Sequence, residues 1–274
     1  MTYRPGLLTI VAAILVAVLL IIPSLMAVPA SLTDMTYLSL PKHALSLQHY
    51  ARFLEDPDWL HSFALSLGTS ITAAVFATLL GSAFAIGAWT LSGRWALLAQ
   101  GAVLLPLAIP GIIAALALYL LWTQLGWYDT VTGVIVVQMI VGLPFVVILT
   151  SAALRTLDRA QVRASRSLGA GTVRTLIRIV LPNIRQAILA GFVLALVTGW
   201  DESVITLFIT GRDVQVLPRR IWDSLRYDID PIVAVVATLL FALTVAGVVC
   251  FMLLSSRNRM RARTEGGGMP PKQV

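Results

Sequence analysis

The sequence predicts an all-α membrane protein with six transmembrane helices and both termini in the cytoplasm. Three observations carry this. First, hydrophobic residues make up 58% of the 274 and charged residues only 12%, about half of the roughly 25% usual in soluble domains. Second, the charges are bunched. Uncharged stretches run over 5–33, 59–93, 95–128, 130–154 and 231–256, and a sixth, 186–211, is interrupted only by Asp201 and Glu202. Each exceeds the roughly 20 residues that a helix needs to cross a bilayer core. Third, the basic residues alternate between loops. With spans near 7–29, 62–91, 96–123, 131–154, 187–210 and 232–256, the segments 1–6, 92–95, 155–186 and 257–274 hold 14 basic residues against Asp158 and Glu265. The remaining loops hold six basic and nine acidic residues. Basic loops stay in the cytoplasm, which fixes the orientation. The net charge of +7, from 18 Arg and 2 Lys, therefore reports topology rather than nucleic-acid binding. A soluble globular enzyme is excluded, and no loop is long enough for a separate domain. The expectation is a transmembrane domain over 7–256, preceded by a cytoplasmic N-terminus at 1–6.

Span one follows Arg4 and runs from Leu7 to Val28, ending in Ala-Val-Pro-Ala-Ser at 27–31. This imitates a signal peptide, but the apolar run of about 22 residues exceeds the usual h-region, so an uncleaved span is expected. The outer segment 30–61 contains a short interfacial helix over Ser46–Glu55, with Leu47, Tyr50, Phe53 and Leu54 on one face at helical spacing. Span two carries Gly68, Ser70, Gly81, Ser82 and Gly87, small residues that allow close helix contact. Pro106 and Pro110 interrupt span three and Pro144 interrupts span four. Such prolines suit either a bent pathway-lining helix or ordinary kinked packing. The single cysteine, Cys250, sits in span six as inert core and permits no intramolecular disulfide. The tail 257–274 has Arg257, Arg259, Arg261 and Arg263, then Gly266–Gly268 and two prolines. It is expected to be disordered, its arginines touching anionic lipid or anchoring span six.

The inner loop 155–186 holds the sharpest pattern. Leu154, Leu157, Gln161, Ala164 and Leu168 form one stripe at helical spacing, and Gly169 and Gly171 then end the helix. A second helix begins near Thr172 and meets Pro182. A short amphipathic helix joined to another by a glycine turn suits a groove on a cytoplasmic partner, or a place on the membrane surface with snorkelling arginines. Few large hydrophobes occupy 158–167, which argues against deep lipid burial.

This loop resembles the EAA loop of ABC-importer permeases, whose pattern is Glu-Ala-Ala, three residues, Gly, nine residues, Ile-x-Leu-Pro. Ala164, Gly169, Ile179, Leu181 and Pro182 stand in register, while Arg163 and Ser165 replace the glutamate and second alanine. Trp200-Asp-Glu-Ser-Val-Ile-Thr-Leu-Phe-Ile-Thr-Gly211, Val216-Leu-Pro218, Ile221-Trp222 and Asp230-Pro231 are similar to the spermidine/putrescine-type permease group, most of all to its second permease subunit. The resemblance covers roughly 60–256. It implies a type I ABC-importer permease fold in a bacterial inner membrane, with the loop 158–171 docked as a coupling helix on a separate ATPase dimer. Ala164, Ser165, Leu168, Gly169, Ala170, Ile179, Leu181 and Pro182 are the implied coupling residues. The implied partners are that ATPase, a second permease subunit (heterodimer favoured) and a solute-binding protein. A polyamine or related amine is the implied solute.

The chain's own chemistry is limited. A phosphate cradle needs Gly-x4-Gly-Lys-Ser/Thr; the only lysines, Lys42 and Lys272, each follow a proline. ATP and Mg are therefore expected on the partner ATPase, with no cofactor held here. His43, His49 and His61 have neither metal-ligand spacing nor cysteine companions, so no metal site and no catalytic residue are expected. Asp201 and Glu202 are the charges set well within a span, where each costs about 2.5–3.5 kcal/mol at a helix centre. That cost points to a cavity or bundle interior. With Trp200 they form the expected translocation pathway, as a negative lining for a cationic solute. A structural hydrogen-bonding or ion-pair role is the competing explanation. Trp200 and Trp222 offer cation–π faces, and Trp222 suits interfacial anchoring. An ion-gradient transporter using Asp201 or Glu202 is the rival function; it lacks the duplicated half with paired broken helices seen in many such folds. A non-transporting membrane scaffold is the second rival.

Overall fold

The computed structural model describes residues 6–91, 94–227 and 229–245. Arg4, Cys250, the end of the sixth expected span and the basic tail with Lys272 lie outside the described residues. Among those described, regular structure is helical and no strand occurs. The chain divides into two compact units, one of residues 1–57 with 223–274 and one of 58–222.

The first unit contains α1 (Leu7–Ser31), α2 (Gln48–Glu55) and, after a turn at 229–230, α12 (Ile232–Val245). Its loop after α1 is tied by short polar contacts. Ser31 Oγ lies 2.8 Å from the Tyr50 hydroxyl, and the Ser46 N–H donates to the Leu32 carbonyl at 2.9 Å. The Asp34 carboxylate accepts the N–H groups of Lys42 and His43 at 3.0 and 3.3 Å. Asp230 accepts the Ile232 N–H at 3.0 Å, capping α12, and pairs with Arg52 at 3.2 Å. The buried face of α2 differs from the expected one. His49 and Phe53 are buried, whereas Leu47 and Leu54 are exposed. His49 turns inward because its Nε2 finds the Met35 carbonyl at 2.9 Å, which satisfies a polar ring that would otherwise be costly to bury.

The second unit is organised along α6 (Val131–Thr156). Around it stand α3 (Pro57–Thr90), α4 (Arg94–Leu104), α5 (Gly111–Leu125), α7 (Arg159–Ser167), α8 (Thr172–Thr175), α9 (Leu181–Asp201), α10 (Val204–Ile209) and the first part of α11 (Leu217–Tyr227). Three apolar clusters follow one another down α6. Val134 and Val137 pack with Ala115, Trp122, Ile205 and Ile209. Val146 packs with Ala74, Ala77 and Ala195. Leu154 packs with Ala85, Val180 and Ile184. Glycines let α6 and α9 approach. A Cβ at Gly142 would stand 3.0 Å from that of Ala195, one at Gly191 3.1 Å from the Val146 Cα, and one at Gly199 3.3 Å from Gln138. Of the small residues expected to pack in span two, Gly81 meets Val146 at 3.0 Å, while Gly68 and Gly87 face open space.

Three described helices are long and apolar enough to cross a membrane: Pro57–Thr90, Val131–Thr156 and Thr172–Asp201. The segment expected as one span over 96–123 is instead two helices, bent by 103° between Leu98–Ala108 and Gly111–Leu125. A 3-10 turn over Leu105–Ala108 contains Pro106, and Pro110 immediately precedes α5. Proline removes a helical donor and disfavours helical geometry in the residue before it, and Ile109 is accordingly extended. Pro144, by contrast, is buried inside an unbroken α6.

Candidate coupling and translocation sites

The loop between α6 and α9 is built from caps. α6 ends at Thr156, and Leu157 turns into extended geometry. Asp158 then starts α7 by accepting the Ala160 N–H at 2.8 Å, the usual work of an N-cap carboxylate. At the other end the Leu168 N–H donates to Ala164, the Gly169 N–H to Arg166 and the Ala170 N–H to Ser165, at 3.1, 2.9 and 3.1 Å. This closure requires the left-handed backbone of Gly169, φ +79°, where glycine carries no Cβ penalty. A Cβ there would meet nothing within 4 Å, so glycine is required for its backbone and not for space.

The expected stripe divides in two. Leu154 is buried and Leu157 half-buried, but Gln161, Ala164 and Leu168 face outward, Leu168 being 88% exposed. α7 is seated instead by Val162, which joins the cluster around Leu154, and by Ser165, whose hydroxyl lies 3.0 Å from the Thr175 hydroxyl. The Arg159 guanidinium lies over the Trp89 ring, 5.8 Å from its centroid, a contact that no local spacing announces. Beyond Gly171 the helix widens into a π turn at Leu176–Val180 before α9. Pro182, at the start of α9, cannot donate a hydrogen bond and crowds the carbonyl one turn earlier; a π turn is one way to absorb this. The Asn183 side chain donates to the Ile179 carbonyl at 2.7 Å. Ile179, Leu181 and Ala170 are half-buried and Pro182 is exposed.

The acidic pair does not sit within a continuous helix. α9 stops at Asp201, Glu202 is extended, and α10 begins at Val204. The Glu202 carboxylate accepts the Ile205 N–H at 2.8 Å, and its carbonyl accepts the Thr206 hydroxyl at 2.6 Å. Glu202 is thus half-buried and engaged as a cap, while Asp201 is exposed. Trp200 is half-buried, edge-on to Phe63 with ring centroids 5.9 Å apart. Trp222 is 49% exposed.

One device was not foreseen. Asp129, in left-handed geometry at φ +55°, clasps the segment after α10. Its carboxylate accepts the N–H groups of Gly211, Asp213 and Val214 at 2.7, 2.9 and 3.0 Å, and its own N–H donates to the Ile209 carbonyl at 2.9 Å. Burial pulls this carboxyl upward, but the backbone donors of 211–214 prevail and hold it below its ordinary value. Gly211 is needed for the approach, since a Cβ there would stand 2.6 Å from Asp129 Oδ2. An acidic residue before α6 and a glycine 82 positions later are the only sequence traces of this clasp. Two nearby arginines also have internal work. Arg219 reaches the carbonyls of Leu207 and Thr210 at 3.4 and 3.3 Å, and Arg220 pairs with Asp58 at 3.2 Å.

Comparison with known proteins agrees with this architecture. Residues 83–260 match the family described as binding-protein-dependent transport system inner membrane component. The chain is 28% identical to the spermidine/putrescine transport system permease protein PotC of Shigella flexneri, over 80% of this chain and 81% of that protein. It is 29% identical to the putrescine transport system permease protein PotI of Escherichia coli K12, over 80% of each. In structure it is similar to a bacterial ABC transporter involved in the import of the acidic polysaccharide alginate, with a TM-score of 0.66, 15% identity, and coverage of 93% of this chain and 99% of the other.

Proposed function

The chain belongs to the family of binding-protein-dependent transport system inner membrane components, and from that premise we propose that it is one permease subunit of a bacterial inner-membrane importer of polyamines or related amines. It works with a second permease subunit, a solute-binding protein and a separate ATPase dimer that binds ATP and Mg. Six spans, with both termini in the cytoplasm, put α7 on the ATPase side.

The observation that carries the coupling role is the outward face of α7. Leu168 is 88% exposed beside Ala164 at the tip of a helix seated by Val162 and Ser165. A large apolar side chain held in the open on a short, well-capped helix suits a groove on a partner. Movement of α7 would pass through the Ser165–Thr175 contact into the π turn and α9, and through the Val162 contact into the foot of α6. ATP binding and hydrolysis on the partner would then drive alternating access. The amine character of the solute is supported by the relatives' names and by Asp201, an exposed carboxylate at the break between α9 and α10.

Two variants of the assembled transporter test this. Gly169→Val cannot easily adopt φ +79°, whereas Gly169→Asn tolerates that region and meets no atom within 4 Å of its Cβ. Gly169→Val should lose solute-stimulated ATPase activity while remaining in the membrane, and Gly169→Asn should keep most of it. Normal coupling in Gly169→Val would refute the turn's role. A pull-down from native membranes that recovers the chain without an ATPase, yet competent for uptake in liposomes, would refute the importer itself.

A further inference from the structure

We propose that the groove between α3 and α9 is a binding site for an anionic phospholipid of the inner leaflet, with Arg185 as its headgroup contact. The groove measures about 390 Å³ and is walled by Val75, Thr78 and Leu79 of α3 and by Leu181, Ile188, Leu189 and Phe192 of α9, with Arg185 the one charged side chain in its lining. Its walls are apolar and open to the surroundings: Leu79 is 60% and Leu189 64% exposed. The one neutral polar side chain in the wall, Thr78, spends its hydroxyl on the Ala74 carbonyl of its own helix at 2.7 Å. Nothing along the wall therefore asks for a polar tail.

Arg185 is different. No carboxylate lines the groove, and among the described residues Arg185 has neither an ion pair nor a hydrogen-bonded partner. A single cation in the wall of an apolar trough complements a phosphate that carries an acyl chain. From Arg185 to Phe192 the helix rises about 10 Å, enough to guide the first part of that chain. Two further arginines of the preceding turns, Arg174 and Arg178, line a separate hollow with Val173 and Ile177, so positive charge recurs along this stretch of the chain. Basic pockets beside spanning helices on the cytoplasmic side attract anionic headgroups. The inference rests on the orientation proposed above, in which Arg185 lies at the cytoplasmic border of its span.

The test uses the assembled transporter in nanodiscs of phosphatidylcholine with a minor fraction of a phosphatidylglycerol whose acyl chain carries a photoactivatable group. Nanodiscs present both leaflets, so the outcome does not depend on orientation, and failure of the importer reading would show separately, as absent uptake when the same preparation is placed in liposomes. Peptides containing 75–79 and 189–192 should be labelled. Arg185→Gln should reduce that labelling about fivefold, the equivalent of about 1 kcal/mol for one arginine near an anionic surface, and Arg185→Lys should restore most of it. Equal labelling by a phosphatidylcholine analogue, or unchanged labelling in Arg185→Gln, would overturn the proposal. So would cross-linking of the groove to another protein chain in place of lipid.

Discussion

Removing the Asp129 carboxylate should loosen the segment 211–214 without dissolving the rest of the second unit. The N–H groups of Gly211 and Val214 are partly buried, and that of Asp213 is exposed. An unsatisfied buried donor costs about 1–3 kcal/mol. Water replaces the exposed bond, and the low end of the range applies to the two partly buried ones, giving about 2 kcal/mol. Asp129→Ala adds roughly 1 kcal/mol because alanine is strained at φ +55°. Asp129→Asn keeps a tolerated backbone and one acceptor oxygen for Gly211 and Val214, and should cost about 1 kcal/mol because a neutral acceptor bonds these amides less strongly than a carboxylate does. Hydrogen exchange of the purified protein reads this directly, since about 1.4 kcal/mol corresponds to a tenfold change in local opening. Exchange at Gly211 and Val214 should quicken about fivefold in Asp129→Asn and on the order of a hundredfold in Asp129→Ala. The sign with pH follows from a carboxyl held below its ordinary value by these donors. The clasp is fully present above the ordinary carboxylate range and is lost as pH falls through the lowered value. After correction for intrinsic rates, protection should be flat near neutrality and fall only in strong acid. Unchanged exchange at both amides in Asp129→Ala would refute the clasp.

The acidic pair should separate by role. Asp201→Asn should weaken uptake of a cationic solute while leaving the thermal midpoint unchanged. Glu202→Ala should lower stability by about 1 kcal/mol, as loss of an N-cap does, seen as a lower midpoint in detergent. Unaltered uptake in both Asp201→Asn and Glu202→Gln would remove the acidic guide. Packing can be tested at two glycines of one helix. Gly81→Leu, whose Cβ would stand 3.0 Å from Val146, should cost about 1–3 kcal/mol by overpacking. Gly68→Leu, with nothing within 4 Å, should be tolerated; equal midpoints for the two would contradict the α3–α6 approach.

The helical class, the glycine turn at 169 and the start of the second helix at Thr172 were legible because each rests on local chemistry: apolar run length, a residue free to take φ +79°, and a glycine just before the new helix. Pro182 does not end that helix, which runs on to Asp201. The inward face of α7 was not, because Ser165 and Val162 are chosen by what lies beneath them, a threonine ten residues on and a cluster fed by three helices. The Asp129 clasp was hidden for the same reason, as its partners lie more than 80 residues away. Prolines were legible as interruptions but not in effect. Pro106 sits in a 3-10 turn and Pro110 starts α5, while Pro144 remains inside α6.

The break at Glu202 is the most instructive difference. No proline or glycine lies between Trp200 and Val204, so the apolar run read as one helix with two expensive charges inside it. The cost located the right residues and misjudged their remedy. A carboxylate within an apolar run can be met by a partner cation or by water. It can also be met by ending the helix, so that the charge accepts the free N–H groups of the next one. Glu202 takes the third course through Ile205. Two adjacent acids then cease to be equivalent: the one that caps is committed to the fold, and Asp201, left exposed at the break, remains free to meet a solute.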